Sequence, residues 1–349
     1  MSVLRSRTSV RRRAAAAVLA ASLAAAGGAI ASSQSSAASS ASATDTVKIA
    51  LDWTANVNYL GIYAALTKGY FAAAHIKAVI LPYANASAEQ LIQAGRTDLG
   101  ISYPPDVILN NASGKLRYRA VAALISDNTT ALAVLASSRY TRPAQLSGKV
   151  YGGFGIVSDK PLVTSVLRGD GVKNPVYKQV ILGSDVITAL QARRIDYTAV
   201  FDGIDDVTAA LEGVKLRTFR YSDYLGAGGD YPNAVFVASD KDIAGRGPVL
   251  ARALRALAQG YEFAAAHPAA AEQILIAANN TALGSANGKR ITYATGNATA
   301  PHFLDGHRRW GPETDAEYTG LERILVSGKL LSHSPPPSEL YTNSLLGKG

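Results

Sequence analysis

Apolar residues recur along this chain in two alternating rhythms. Short apolar runs predict strands at Val47–Leu51, Ala78–Pro82, Leu99–Ser102, Ala120–Ile125, Ala131–Ala136, Lys149–Gly152, Tyr177–Ile181, Tyr197–Phe201 and Ala234–Ala238. Between them, apolar spacings of three and four predict helices at Leu60–Phe71, Ser87–Ala94, Pro161–Arg168, Ser184–Ala192 and Pro248–Ala265. Regular strand–helix alternation over about 300 residues predicts an α/β fold with mainly parallel strands, divided into two lobes.

One internal echo sets the expected division. Thr130–Ser137 and Asn233–Ser239 are similar apolar runs, each followed by a charged turn, and they bracket a block with its own alternation. The economical arrangement crosses between lobes at each run. Lobe one is then 45–138 with 239–349, and lobe two is 139–238. Two such crossings describe a bilobed protein that closes over a ligand by hinge motion.

Residues 1–44 behave differently. Arg5, Arg7, Arg11, Arg12 and Arg13 precede an apolar run of small residues, Ala14–Ala26, and then an Ala29-Ile30-Ala31 cleavage site. That order predicts a secretory signal over 1–31, with Ala41-Ser42-Ala43 as an alternative cut. The apolar run is too short to span a bilayer. Residues 32–44 are almost wholly Ser, Ala and Thr, a flexible spacer. The chain has no cysteine, so neither a lipid on an N-terminal Cys nor a disulfide is expected. An exported protein without a lipid anchor is expected, in the extracellular or periplasmic (cell-wall) space, with the Sec and twin-arginine routes both open.

Removing the leader alters the charge argument. The whole chain carries +9, but without the five leader arginines 30 basic residues face 26 acidic ones. No basic block of five remains, so no nucleic-acid partner is expected.

Open α/β sheets bind ligands at the carboxyl ends of their strands, and four turns there carry unusual side chains. The first is Asp52–Tyr59, where Trp53 can stack on a flat heterocycle and Asn58 and Tyr59 can read its edge. The second is Ser102–Asp106, where two prolines stiffen the presentation of Tyr103 and Asp106. Asp106 can accept from a ring N–H or exocyclic amine, or cap the following helix. The third, Gly152–Asp159, offers backbone N–H groups around Gly153 and Phe154, with Ser158 or Asp159 as ligand contact or helix cap. No Gly-Lys-Ser/Thr follows, so it is no P-loop. The fourth is Phe201-Asp202-Gly203, in which Asp202 either faces the cleft or serves the turn. Tyr83, after another strand, is a further candidate. The five histidines are scattered, and His302, His307 and Asp305 read as a solvated loop rather than a metal site. No metal, cofactor or catalytic residue is expected.

Several of these segments resemble motifs of the NMT1/THI5-like solute-binding proteins. The carriers are Leu51-Asp52-Trp53-Thr54 with Asn56, Asn58 and Gly61, then Lys68-Gly69-Tyr70-Phe71; Thr97–Tyr103; Leu146–Val150 with Gly152-Gly153; Leu182–Asp185 through Ile195–Tyr197; and Pro337-Ser338 with Tyr341-Thr342-Asn343. Ala55 stands where that family usually has Pro, and Tyr59 where it has His. The resemblance implies a type II periplasmic-binding-protein fold, two α/β lobes joined by two hinge crossovers, in a monomer. It implies a binding protein of an ABC importer, docking on a membrane permease with a small heterocycle, foremost a thiamin-pyrimidine precursor. A sulfonate or a riboflavin-like compound is the alternative ligand, and a ligand-sensing receptor subunit shares the fold. Eukaryotic members instead make the thiamin pyrimidine, consuming their own His and holding iron with a Cys-rich motif. Tyr59 and the missing cysteines argue against that enzyme here.

Overall fold

A computed structural model describes residues 43–84, 86–114, 117–182, 186–333 and 335–347. The expected leader, nearly all of the spacer, and Gly183–Asp185 of the resemblance lie outside the described residues. Ten strands form two five-stranded sheets: β1 (Asp45–Ala50), β2 (Ile76–Leu81), β3 (Leu99–Ser102), β4 (Tyr118–Ile125), β5 (Thr130–Leu135), β6 (Val150–Gly153), β7 (Lys178–Ile181), β8 (Tyr197–Phe201), β9 (Leu216–Arg220) and β10 (Ala234–Ser239). The first sheet runs β2-β1-β3-β10-β4 and the second β7-β6-β8-β5-β9.

Both sheets are mixed, but four of the five strands in each run the same way, in keeping with the expected mainly parallel arrangement. β1 pairs in parallel with β2 and β3, whereas β10 runs antiparallel to β3 and β4. The second sheet repeats the scheme: β6 is parallel to β7 and β8, and β5 is antiparallel to β8 and β9. The antiparallel strand in each sheet is the one that has crossed over. β5 therefore belongs to the second sheet and β10 to the first, so the crossings lie at 126–129 and 221–233 rather than after 138 and 238. The two echoing runs look alike because each is buried in its sheet, and sequence alone does not say which side of the crossing each occupies.

The crossings are tied together by amides. Asn128 Nδ2 donates to the Gly229 carbonyl at 2.7 Å, and Asn233 Nδ2 donates to Thr129 Oγ1 at 2.9 Å. Both asparagines are buried, so their bonds specify the geometry of the paired connection.

The lobes also share local architecture. The Asp98 backbone N–H donates to the Lys48 carbonyl, and Lys48 N–H returns to Asp98 Oδ2 at 2.7 Å. In the second lobe Asp196 and Val150 make the same pair of bonds, the returning one at 2.9 Å. Matching sequences lead into them, Gln93-Ala94-Gly95-Arg96-Thr97-Asp98 and Gln191-Ala192-Arg193-Arg194-Ile195-Asp196.

One apolar core lies between the first sheet and the helices Leu60–Thr67, Asp240–Ala266 and Pro268–Ala278. A second runs through both lobes, joining Val107 and Val235 to Leu132 and Tyr197 through the helices Asp159–Gly169 and Asp315–Ser327. The closing segment covers the β4 edge: Ala120 N–H donates to the Leu340 carbonyl and Thr342 N–H to that of Ala120.

Candidate functional site

The parallel strands of both lobes end in the turns singled out above: β1 in Asp52–Tyr59, β3 in Tyr103–Asp106, β6 in Phe154–Ser158 and β8 in Asp202–Gly203. β2 delivers Tyr83 to the same end of the first sheet.

At the first turn Asn56 Oδ1 accepts from the Asn58 N–H at 2.9 Å and opens a short 3-10 turn, Val57–Tyr59, that leads into the helix Leu60–Thr67. This swings Trp53 outward, 45% exposed, with its ring centroid 5.1 Å from that of Tyr83. The two rings form an aromatic lip. Tyr59 instead turns inward and is 1% exposed. Its hydroxyl donates to Asp52 Oδ1 at 2.9 Å and accepts from the Trp53 N–H at 3.0 Å. Tyr59 thus props the turn from inside, and any ligand contact passes through Asp52. Asn58 is partly exposed, with its Oδ1 buried and unpaired among the described residues.

Asp52 is the residue that reasoning from sequence placed in the turn but not in the site. It gathers two phenols, Tyr59 on one oxygen and Tyr103 on the other at 2.5 Å. Burial raises its carboxyl above the ordinary range, and the phenols oppose that rise by hydrogen-bonding the anion. The Tyr103 hydroxyl is pushed well up by the same burial and by the Asp52 charge.

Asp106 lies in the first turn of the helix Pro104–Ala112. Tyr103, at the N-cap position, makes no side-chain cap there. Burial, with the charges of Glu89 and Asp159, pushes the Asp106 carboxyl up to about 7. Glu89 belongs to the first lobe and accepts from Ser102 Oγ at 2.5 Å. Asp159 comes from the second lobe, so carboxylates of both lobes converge on one region. Among the described residues none of Asp52, Glu89, Asp106 and Asp159 forms an ion pair with Lys or Arg.

The glycine turn is organised around Asp159. Its Oδ2 accepts from the Gly155 N–H at 3.2 Å and its Oδ1 lies 3.3 Å from the Tyr151 hydroxyl. The amides of Phe154 and Ile156 also stabilise this carboxylate, which burial nevertheless pushes up. Of the amides in this turn, that of Gly155 is thus taken by the protein's own anion. Ser158 is buried and caps no helix N–H, Gly153 is buried at the end of β6, and Phe154 is partly exposed. Ile156 and Val157 next to it are exposed.

Asp202 stands apart from this cluster. It accepts from Arg220 Nε at 2.8 Å, and its backbone N–H bonds the Thr129 carbonyl at the crossing. The partner set is that of a turn and hinge residue. His302 Nδ1 lies 2.8 Å from Asp127 Oδ2, and Asp305 accepts the backbone N–H groups of His307 and Arg309. Among the described residues no group of His, Cys, Asp and Glu is arranged to hold a metal. The residues missed from sequence are Asp52, Glu89, Asn128 and Asn233; Asp52, Asn128 and Asn233 are short polar side chains outside regular elements, and Glu89 reads as an ordinary first-turn residue of the helix Ala88–Gln93. For Asp52 a signal existed in the two tyrosines that follow their strands.

Comparison with known proteins adds four findings. The profile of the family described as NMT1/THI5 like matches residues 56–271. A formylaminopyrimidine-binding protein of Halalkalibacterium halodurans is 28% identical over 67% of this chain and 71% of its own. A 4-amino-5-hydroxymethyl-2-methylpyrimidine phosphate synthase of Uromyces fabae is also 28% identical, over 47% of this chain and 48% of its own. Among solved structures, the alkanesulfonate-binding protein SsuA of Xanthomonas axonopodis pv. citri, bound to MOPS, superposes with a TM-score of 0.65 at 16% identity, covering 86% of this chain and 99% of its own. That likeness is one of fold: two α/β lobes joined by two crossings, the bilobed periplasmic-binding-protein arrangement.

Proposed function

The chain belongs to the NMT1/THI5-like family, and from that premise we propose that it is the solute-binding component of an ABC importer that captures an amine-bearing pyrimidine. The observation that carries this reading is a set of carboxylates with no cationic partner among the described residues, Asp52, Asp106 and Asp159, of which Asp52 directly precedes Trp53 of the aromatic lip. A carboxylate accepts hydrogen bonds and repels anions, so the site asks for a flat ligand rich in N–H donors. A thiamin-pyrimidine precursor, hydroxymethyl- or formylaminopyrimidine, has that chemistry, and the Halalkalibacterium relative is named for such a ligand.

Binding would proceed without a covalent step. The heterocycle stacks against Trp53, Asp106 and Asp52 receive its N–H groups, and the lobes swing together about the Asn128–Asn233 crossing. Closure would cover Ile156, Val157 and Ile181 of the second lobe, which are 49%, 65% and 69% exposed. The closed monomer then docks on a permease outside the membrane. Among the described residues no helix is long and apolar enough to cross a membrane.

The sulfonate alternative is weakened at the glycine turn, where the buried Asp159 carboxylate takes the Gly155 N–H and would repel an anion. The synthase alternative is weakened at Tyr59, whose hydroxyl is committed to Asp52 and Trp53 where that chemistry consumes a His. Calorimetric titration with formylaminopyrimidine, hydroxymethylpyrimidine, taurine and an alkanesulfonate tests the reading. Saturable binding of a pyrimidine, unmoved by sulfate, is expected. Sulfonate binding that sulfate competes away would overturn it.

A further inference from the structure

The second lobe has a cavity of about 310 Å³ at the end of its sheet opposite the carboxylate cluster, beside the turn that leads into β8. Its rim carries Arg139 and Arg193, its floor is Leu190 and Ile195, and Ser137 adds a hydroxyl. Neither guanidinium forms an ion pair among the described residues; Arg139 faces the Tyr140 side chain, 5.7 Å from its ring centroid, and interacts with its hydroxyl. The one carboxylate in the wall, Asp196, is occupied by the Tyr140 hydroxyl at 3.1 Å and the Val150 N–H at 2.9 Å. Two further cations stand behind it. Lys149 Nζ is 5.9 Å from the Tyr140 centroid, and Arg217 donates to the Tyr140 carbonyl at 2.6 Å.

The first lobe supplies an internal control. Its equivalent turn borders a cavity of about 450 Å³ in which charge is balanced: Asp98 pairs with Arg246, and Arg117 with Glu339 at 3.3 Å. The two turns share the sequence pattern described above, but Gly95 (φ 63°) is replaced in the second by Arg193 (φ 54°). Left-handed backbone after a helix suits glycine, and an arginine there forgoes stability. The second lobe thus places a cation in a conformation that disfavours it, at the mouth of a cavity whose one carboxylate, Asp196, makes no ion pair with it.

We propose that this cavity binds a phosphate-type oxyanion between the forked donors of Arg139 and Arg193, either free phosphate or the headgroup of an anionic lipid. Planar guanidinium groups match the tetrahedral oxyanion in pairs, and the apolar floor accommodates the carbon side of an ester. The site is distinct from the carboxylate cluster and does not depend on what that cluster binds.

Titration of the full chain with inorganic phosphate, at ionic strength held constant with sodium chloride, gives the first arm. Flotation with phosphatidylglycerol–phosphatidylcholine vesicles against pure phosphatidylcholine gives the second. Saturable phosphate binding, weakened at least tenfold in R139A and in R193G, supports the site; if no vesicle binding accompanies it, the source is free phosphate. Flotation on the anionic vesicles alone, lost in both variants, equally supports the site and makes the source a lipid. R193G also raises the urea midpoint in phosphate-free buffer, so its loss of binding cannot be ascribed to misfolding. Binding that both variants retain, or no binding by the wild type in either arm, overturns the proposal.

Discussion

The Tyr103 hydroxyl donates to Oδ2 of Asp52 at 2.5 Å, tying the turn after β3 to the turn after β1 across 51 residues of chain. Tyr59 completes the clamp on Oδ1, and its oxygen also takes the Trp53 N–H. The two phenols are therefore unequal. Tyr103→Phe removes one charge-assisted bond and should cost about 1–2 kcal/mol. Tyr59→Phe removes that kind of bond and leaves the Trp53 N–H without its acceptor, so it should cost more, about 2–4 kcal/mol. Urea unfolding of the two variants checks the order. Equal losses would mean that the Trp53 N–H is indifferent to Tyr59.

Trp53 should separate binding from stability. Its ring is 45% exposed and touches Tyr83 at the surface, so Trp53→Ala should change unfolding stability by no more than about 0.5 kcal/mol. Loss of ring stacking should weaken pyrimidine binding by roughly 2 kcal/mol, about thirtyfold in Kd. Fluorescence offers a direct check, because the only other tryptophan, Trp310, is 4% exposed and stacked on Tyr261. Ligand should quench the wild type strongly and W53A hardly at all.

Gly61, which the family resemblance had picked out, has a packing explanation. A β-carbon there would stand 2.2 Å from Cγ of Tyr261, and one at Gly260 would stand 2.1 Å from the Gly61 carbonyl oxygen. The helices Leu60–Thr67 and Asp240–Ala266 thus cross backbone to backbone. Tyr261 cannot retreat, being buried and stacked on Trp310 with ring planes 5° apart. Gly61→Ala and Gly260→Ala should each cost about 3 kcal/mol or more. Gly245→Ala, with nothing within 4 Å, should be close to neutral in the same denaturation experiment.

What sequence could deliver follows from the range of the forces involved. Strand β1, its polar turn and the helix beyond are set by neighbours in sequence, and they were legible as a unit. The outward Trp53 follows from that turn. Pairing partners were not legible. β5 and β10 have nearly the same buried apolar pattern, and only long-range antiparallel bonding sends them to opposite sheets. β9, Leu-Arg-Thr-Phe-Arg, escaped because two arginines interrupt its apolar pattern. Asp159 read as a helix cap because the sequence does not reveal that its oxygens turn back to Gly155 and Tyr151. The carboxylate cluster exists only once both lobes are assembled.

Asp106 links that cluster to pH. Its carboxyl is raised to about 7, chiefly by burial and then by Glu89 and Asp159. In the unfolded chain the same group titrates near about 3.9, so between those values the native state holds the proton more tightly. Its contribution is therefore harmless below about pH 4 and increasingly destabilising as pH rises towards 7. Asp106→Asn should remove that slope and leave the ligand-free protein about 1–2 kcal/mol more stable at pH 8, less than the full shift because the side chain is partly exposed. Binding should move the other way. An N–H donor needs the ionised carboxylate, so pyrimidine affinity should rise about tenfold from pH 6 to pH 8 in the wild type and stay flat in D106N. Thermal unfolding and calorimetric titration at both pH values measure the two effects together. A variant that gains stability yet keeps the wild-type pH profile of binding would remove Asp106 from the ligand site while leaving its burial explained.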